Sequence, residues 1–222
     1  MSNHLALKKG LNIPLKGVAA PEVIKTVVPD IVAVKPTDFK GLVARLLVKE
    51  GDTVKAGSPV MADKQRPEIL FTTPVSGTVC GIARGEKRKL LAILVKADSQ
   101  QEFVDFGANA PASARETKDL LLKTGLWGSL IQRPYGIMAN PDITPKAIFI
   151  SSFSTAPLAT DTDFTLVEAR TDIQAGVDAL GKIAPVHFCV RKAGSSFGGI
   201  KNFKIINHSF TCINIINMIR LI

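Results

Sequence analysis

The sequence predicts a multidomain α+β chain. An all-β domain covers residues 1–98, a linker with helices 99–144, the start of an α/β domain 145–194 and an atypical tail 195–222. Three observations carry this reading. Short β-branched runs punctuated by glycine turns fill residues 41–95. A polar, turn-rich stretch, Asp98-Ser-Gln-Gln-Glu102 and Gly107-Ala-Asn-Ala-Pro-Ala-Ser113, then breaks the pattern. After Pro145 an apolar run, a helical period and a second apolar run follow in order.

The elements follow from local chemistry. Residues 8–20, with Gly10, Pro14 and Gly17, read as extended pieces joined by turns. Residues 27–34 are apolar and β-branched, a strand whose ends Pro29 and Pro36 place at an edge or a turn. A strand over 41–48 leads to a turn at 49–53, where Gly51 supplies positive φ. A short strand and turn over 54–60 comes next. A strand over 69–71, a turn at 73–77 and strands over 78–83 and 90–95 complete the domain, the last two joined by the basic turn Arg84-Gly-Glu-Lys-Arg88. Gly41, Val43 and Leu46 recur as Gly77, Val79 and Ile82 at an offset of 36 residues. Two such half-motifs would bury each other's apolar faces in one flattened barrel.

In the linker, Ser113 and Glu116 have the spacing of a capping box, the following helix carries Leu120 to Leu122, and Gly125 stops it. A second helix is expected through 126–131, before Pro134. The run 146–152 reads as a strand buried on both faces. Ile173, Val177, Leu180 and Ile183 set a helix over 171–183, and 186–190 is a second buried strand. That order implies a right-handed βαβ unit and a parallel, Rossmann-like sheet.

Composition narrows the function. The net charge is +9, but Arg191, Lys192, Lys201, Lys204 and Arg220 stand in an acid-free end, and without them the body carries +4. With one Trp and one Tyr there is little to stack bases on, so nucleic-acid binding is not expected. Cys80, Cys189 and Cys212 form no CxxC pair and fit reduced thiols in a cytoplasmic compartment. No metal site is expected. His187 and Cys189 share a strand face, but a packed histidine is the default, and His4 and His208 have no ligand spacing. Asp161 and Asp163 read as turn residues, and Gly194-Ser-Ser-Phe-Gly-Gly199 lacks phosphate-loop spacing. No catalytic constellation emerges. The N-terminus has no signal-type apolar core, and no run of about 20 apolar residues spans a bilayer, so any membrane association is expected to be peripheral.

Glu50-Gly-Asp-Thr-Val-Lys-Ala-Gly57 followed by Thr73-Pro-Val-Ser-Gly-Thr-Val79 resembles the biotinyl/lipoyl carrier pattern, which implies a barrel-sandwich hybrid. Lys64, in Ala62-Asp-Lys-Gln65, stands where the carrier attaches its prosthetic group. The longer spacing to Pro74 and the Arg66-Pro67 pair depart from that pattern, and Lys64 is not expected to be modified.

A wider set of motifs occurs in order: Lys8-Lys-Gly-Leu-Asn-Ile-Pro14, Val34-Lys-Pro36, Asp63-Lys64, Phe71-Thr-Thr-Pro-Val-Ser-Gly77, Arg84-Gly-Glu-Lys-Arg88, Gly125-Leu-Trp127, Arg133-Pro134, Ala147-Ile-Phe149 and Pro157-Leu-Ala159. Together they resemble the A subunit of the bacterial sodium-translocating NADH:quinone reductases. The resemblance implies a peripheral subunit on the cytoplasmic side of the inner membrane. Its complex oxidises NADH, reduces quinone and exports sodium, with flavins and an iron–sulfur centre in other subunits. No cofactor is expected on this chain, its partners would be the other subunits, and its role a scaffold or part of a quinone site. Trp127, Arg133 and Tyr135 could supply an aromatic wall and a donor to a quinone carbonyl, with packing at the domain junction as their default role. A free-standing lipoyl or biotin carrier and an Rnf-type electron-transfer subunit are the competing readings.

Beyond about residue 194 the resemblance fades. Residues 200–222 hold eight Ile, four Asn and no acid. That break reads as a frameshifted or truncated product, with an authentic amphipathic segment as the alternative.

Overall fold

A computed structural model describes residues 16–17, 20–23, 29–107, 109–154, 156, 159–190, 197 and 200–201, and the backbone of 204–207. The Lys8–Pro14 motif, His4, most of the 194–199 glycine segment and residues 208–222, with His208 and Cys212, lie outside them. The chain forms two compact units, one from 25–109 and 118–141, the other from 1–24, 110–117 and 142–222.

The first unit holds the β domain. Its strands are β1 (Ile31–Val34), β2 (Ala44–Leu46), β3 (Thr53–Val54), β4 (Pro59–Asp63), β5 (Leu70–Thr72), β6 (Gly77–Arg84) and β7 (Leu90–Ala97). They form a four-stranded sheet in the order β1-β7-β6-β3 and a three-stranded sheet in the order β2-β4-β5. The predicted repeat has a structural meaning. Each half contributes an antiparallel pair, β2 with β4 and β6 with β7, to a different sheet. The halves are laced together where Gly51 N–H donates to Val79 O (2.8 Å) and Val79 N–H to Asp52 O (2.9 Å). Val60, Met61, Ile69, Phe71, Val79, Ile93 and Val95 form one core. Each such buried side chain contributes about 1.5–3 kcal/mol.

Several elements are shorter than the apolar pattern implies. β1 begins at Ile31, after Pro29, which has no N–H for a ladder. β2 starts only at Ala44, because Gly41 turns the chain at φ +89°. Gly51 takes φ +91°, as its turn requires, and Asp52 Oδ2 accepts from Lys49 N–H (2.7 Å) within that turn.

The predicted capping box forms at α1 (Ala114–Lys123). Ser113 Oγ accepts from Glu116 N–H (3.2 Å) and donates to Glu116 Oε1 (3.1 Å). Glu116 Oε2 reaches back one residue further, to Ala112 N–H (2.8 Å). The Ala112 bond first, then the Ser113 bond, holds the Glu116 carboxyl below its ordinary range. Its contribution is therefore present above that range and is lost as pH falls through the lowered value. Titrating Glu116 by carboxyl NMR should give a midpoint that Ser113→Ala raises; an unchanged midpoint would break the link.

The helix expected over 126–131 is instead a single 3-10 turn, Leu126–Ser129, followed by the ribbon β8 (Ile131–Gln132) and β9 (Ile137–Met138). Six residues are too few to nucleate an independent α-helix, and tertiary contacts decide the geometry.

In the second unit, β10 (Ile148–Ser151), α2 (Thr162–Thr165), α3 (Arg170–Gly181), β11 (Val186–Val190) and β12 (Lys204–Asn207) follow in order. β10 pairs with β11 in parallel, as the strand–helix–strand pattern predicts, and β12 adds a further parallel strand beside β11 that the sequence pattern does not predict. Val177 and Leu180 are buried on α3. Asp161, read as a turn residue, caps α2 by accepting from Asp163 N–H (3.0 Å). β12 carries the sheet into the Ile/Asn-rich segment, pairing Phe188 with Ile205 and Cys189 with Ile206.

Candidate functional site

The strongest cluster of sequence-predicted site residues lies around the β8–β9 ribbon. Its base is built by packing. Gly125, at φ +79°, ends the helix against β5, where Thr72 Oγ1 donates to Thr124 O (3.1 Å). The 3-10 turn then drives Trp127 into the barrel core at 3% exposure. Gly128 follows because a Cβ there would lie 2.6 Å from Phe71 Cε1. Phe71 is itself packed on Phe39, with ring centroids 4.4 Å apart.

The three residues expected to form a quinone wall are thus divided. Trp127 Nε1–H donates to Ala139 O (2.9 Å), so its ring and its donor are both committed to the core. Arg133 and Tyr135 are exposed on the ribbon tip, Tyr135 at 67%. Gly136 turns that tip at φ +66° and donates to Gln132 O (2.9 Å). Sequence reasoning missed Lys40, which is distant along the chain. Met138 N–H donates to Lys40 O (3.3 Å), and a Cβ on Gly136 would lie 3.8 Å from Lys40 Nζ and 4.0 Å from Arg133 Nη1. Two cations therefore flank Gly136, beside an exposed phenol and the half-exposed Ile137. Such a patch can donate to a polarised carbonyl or an anion and lay a ring against its apolar body. No sequence signal pairs Lys40 with Arg133.

Lys64 is exposed at the tip of the β4–β5 hairpin. Asp63 N–H donates to Ile69 O (3.0 Å), leaving five residues in the loop, 64–68. The Lys64 N–H is held by Val43 O (2.8 Å), and Gln65 N–H donates to the buried Asp63 Oδ1 (3.1 Å). Lys64 thus stands at the start of a five-residue loop that also holds Arg66 and Pro67.

The histidine and cysteine of β11 are packed. His187 stacks on Phe149, its register partner, at a centroid distance of 4.8 Å and 17° between planes. Cys189 is fully buried, and its carbonyl accepts from both the N–H and the hydroxyl of Ser152, each at 3.0 Å. Among the described residues no group of three His, Cys, Asp or Glu side chains could hold a metal ion.

Likeness to known proteins then decides the family. Residues 5–98 match the NqrA N-terminal barrel-sandwich hybrid domain, and residues 112–213 match the NqrA second alpha/beta domain. The two matches are consecutive parts of one family and together cover most of the chain. The chain belongs to the NqrA family. Its relatives include the A subunit of the Na(+)-translocating NADH-quinone reductase of Pseudomonas aeruginosa, 33% identical over 88% of this chain and 46% of that protein. The corresponding protein of Actinobacillus pleuropneumoniae is 35% identical over 83% of this chain and 43% of its own length. That of Neisseria meningitidis is 34% identical over 93% and 47%. This NqrA-family chain therefore spans less than half the length of the curated relatives it matches. The fold agrees: a barrel-sandwich hybrid is followed by an α/β domain. The second-domain match continues through 195–213, the segment in which β12 lies.

Proposed function

We propose that this chain works as part of the A subunit of a Na(+)-translocating NADH-quinone reductase. There it is a peripheral, cytoplasmic-side scaffold of a complex that couples NADH oxidation and quinone reduction to sodium export. The observation that carries the reading is the ordered pair of NqrA domain matches, supported by identities of 33–35% to proteins of that name. Among the described residues no helix is long and apolar enough to cross a membrane, which suits a peripheral role. The sequence contains no CxxC pair, no Ser-Gly-Ala-Thr flavin-attachment motif and no dinucleotide loop, so the redox groups are assigned to the other subunits.

Arg133, Tyr135 and Lys40 form the patch best suited to meet a quinone head group, because their donors and ring are exposed together. Trp127 supports that patch from the core through Ala139, from which β9 runs back to the tip. Lys64 stays an unmodified lysine on a carrier-like hairpin.

The test is co-purification. The tagged chain, expressed in cells that make the reductase but lack their own NqrA, should recover the other subunits from solubilised membranes. Recovery of the chain alone would overturn the assignment. A mass increase matching a lipoyl or biotinyl group on Lys64 would favour the carrier reading.

A further inference from the structure

The far ends of β6 and β7 stand clear of their sheet. β1 pairs with β7 only from Ile93 to Lys96, and β3 pairs with β6 only at Gly77 and Thr78. Beyond those limits, from Ala83↔Ala92 to Arg84↔Leu90, the two strands pair only with each other in that sheet. The tip of this ribbon carries Arg84, Lys87, Arg88 and Lys89, all exposed, against one acid, Glu86. Among the described residues none of these four cations is in an ion pair.

The turn itself is costly. Lys89 N–H donates to Glu86 O (3.1 Å), and the central residues Lys87 and Arg88 both take positive φ, 52° and 60°. Asn-Gly suits that conformation far better than two long cations. Arg84 Nη1 donates to Arg88 O (3.4 Å) across the turn, and strain of this kind, held at an exposed tip, points to a role for the charges. Leu91 gives the tip an apolar shoulder. It is 40% exposed and lies over Gly85, where a Cβ would come within 3.1 Å of Leu91 Cδ1.

We propose that this ribbon tip docks on an anionic lipid surface, its four cations meeting headgroup phosphates and Leu91 reaching the boundary beneath them. A convex tip without a Trp or Tyr anchor is poorly built as the centre of a protein–protein hot spot. A sheet of headgroups accepts it in any register. Nor is the tip a pocket for free phosphate, because the N–H groups of Gly85 and Lys89 are spent within the hairpin. The setting rests on the proposed place of the chain beside a membrane complex. The binding itself needs no other subunit, so it can fail while co-purification succeeds, and the reverse.

The test is co-sedimentation of the whole chain with vesicles. Phosphatidylcholine doped with phosphatidylglycerol should pellet the chain at low salt, phosphatidylcholine alone should not, and high salt should release it. Each cation near the surface is worth about five-fold in partitioning. The K87N/R88G variant relieves the turn while removing two charges, so its unfolding midpoint should not fall. Its partitioning should nevertheless drop on the order of twenty-fold. The control K64Q/K123Q removes two exposed charges from another hairpin and from α1 and should change partitioning by only about two-fold. Equal losses in the two variants would reduce the effect to net charge and overturn the proposal. Release by millimolar inorganic phosphate at constant ionic strength would also overturn it, in favour of a free-phosphate site. So would failure to pellet with anionic vesicles while poly-glutamate retains the chain, which would assign the tip to an acidic protein.

Discussion

Replacing Gly77 by alanine is expected to cost about 3 kcal/mol or more, at the upper end of what single substitutions do, because the added carbon collides with backbone. Gly77 opens β6 at φ +156°, where a side chain is strained by roughly 1–3 kcal/mol before any contact is considered. A Cβ there would lie 1.9 Å from Lys96 O and 2.8 Å from Lys96 C, atoms of the neighbouring strand rather than of a side chain that could swing away. The strand cannot shift to make room, because Gly77 pairs with Val54 of β3 on one side and Ala97 of β7 on the other. Relief therefore means breaking ladder bonds at the point where the two half-motifs interlock. Gly51→Ala is the control. Its φ is also positive, +91°, but nothing lies within 4 Å of the added carbon, so only the conformational cost of about 1–2 kcal/mol applies. Urea denaturation followed by circular dichroism should order the midpoints wild type, Gly51→Ala, Gly77→Ala. A Gly77→Ala midpoint at or above that of Gly51→Ala would show that the strand edge yields.

That contrast marks what could be read in advance. The 36-residue offset between Gly41 and Gly77 was visible as spacing, and both residues do take positive φ. What spacing cannot carry is the neighbour. Gly41 would bring a Cβ to an ordinary 3.6 Å from Ile137, whereas Gly77 has a carbonyl in the way. The strands themselves were legible because β-branched runs and turn residues act locally. So was the Ser113–Glu116 cap, whose partners lie within four residues. The segment after Gly125 was not. Its six residues, 126–131, carry too little periodicity to tell a helix from a turn, and the pull of Phe71 and Phe39 on Trp127 and Gly128 comes from far along the chain.

The candidate site shows the same division. Arg133 and Tyr135 were identifiable as polar and aromatic groups beside a proline, and their exposure follows from the tight ribbon that Gly136 closes. Lys40 was invisible, because its place depends on one backbone bond from Met138. Trp127 was grouped with the other two by proximity in sequence alone. In the folded chain it faces the other way, since an indole that finds both an apolar core and a carbonyl acceptor gains more there than at the surface.

Trp127 therefore yields the second large prediction. Trp127→Ala should cost about 3–5 kcal/mol, the transfer loss of a buried indole plus the cavity left in the barrel core. Trp127→Phe keeps much of the apolar volume but abandons the Ala139 carbonyl, and should cost roughly 1–3 kcal/mol for the unmet acceptor. Arg133→Ala and Tyr135→Ala, on exposed side chains, should stay within about 0.5 kcal/mol. The pattern separates two roles. A wall of an open quinone site would tolerate truncation in stability and lose ligand; a core residue loses the fold. If Trp127→Ala unfolds at the same urea concentration as the wild type, the ring is not holding the barrel and belongs with Arg133 and Tyr135 after all. If instead Trp127→Ala alone collapses while the two tip variants fold normally, any loss of quinone binding in those variants reports on contact rather than on structure.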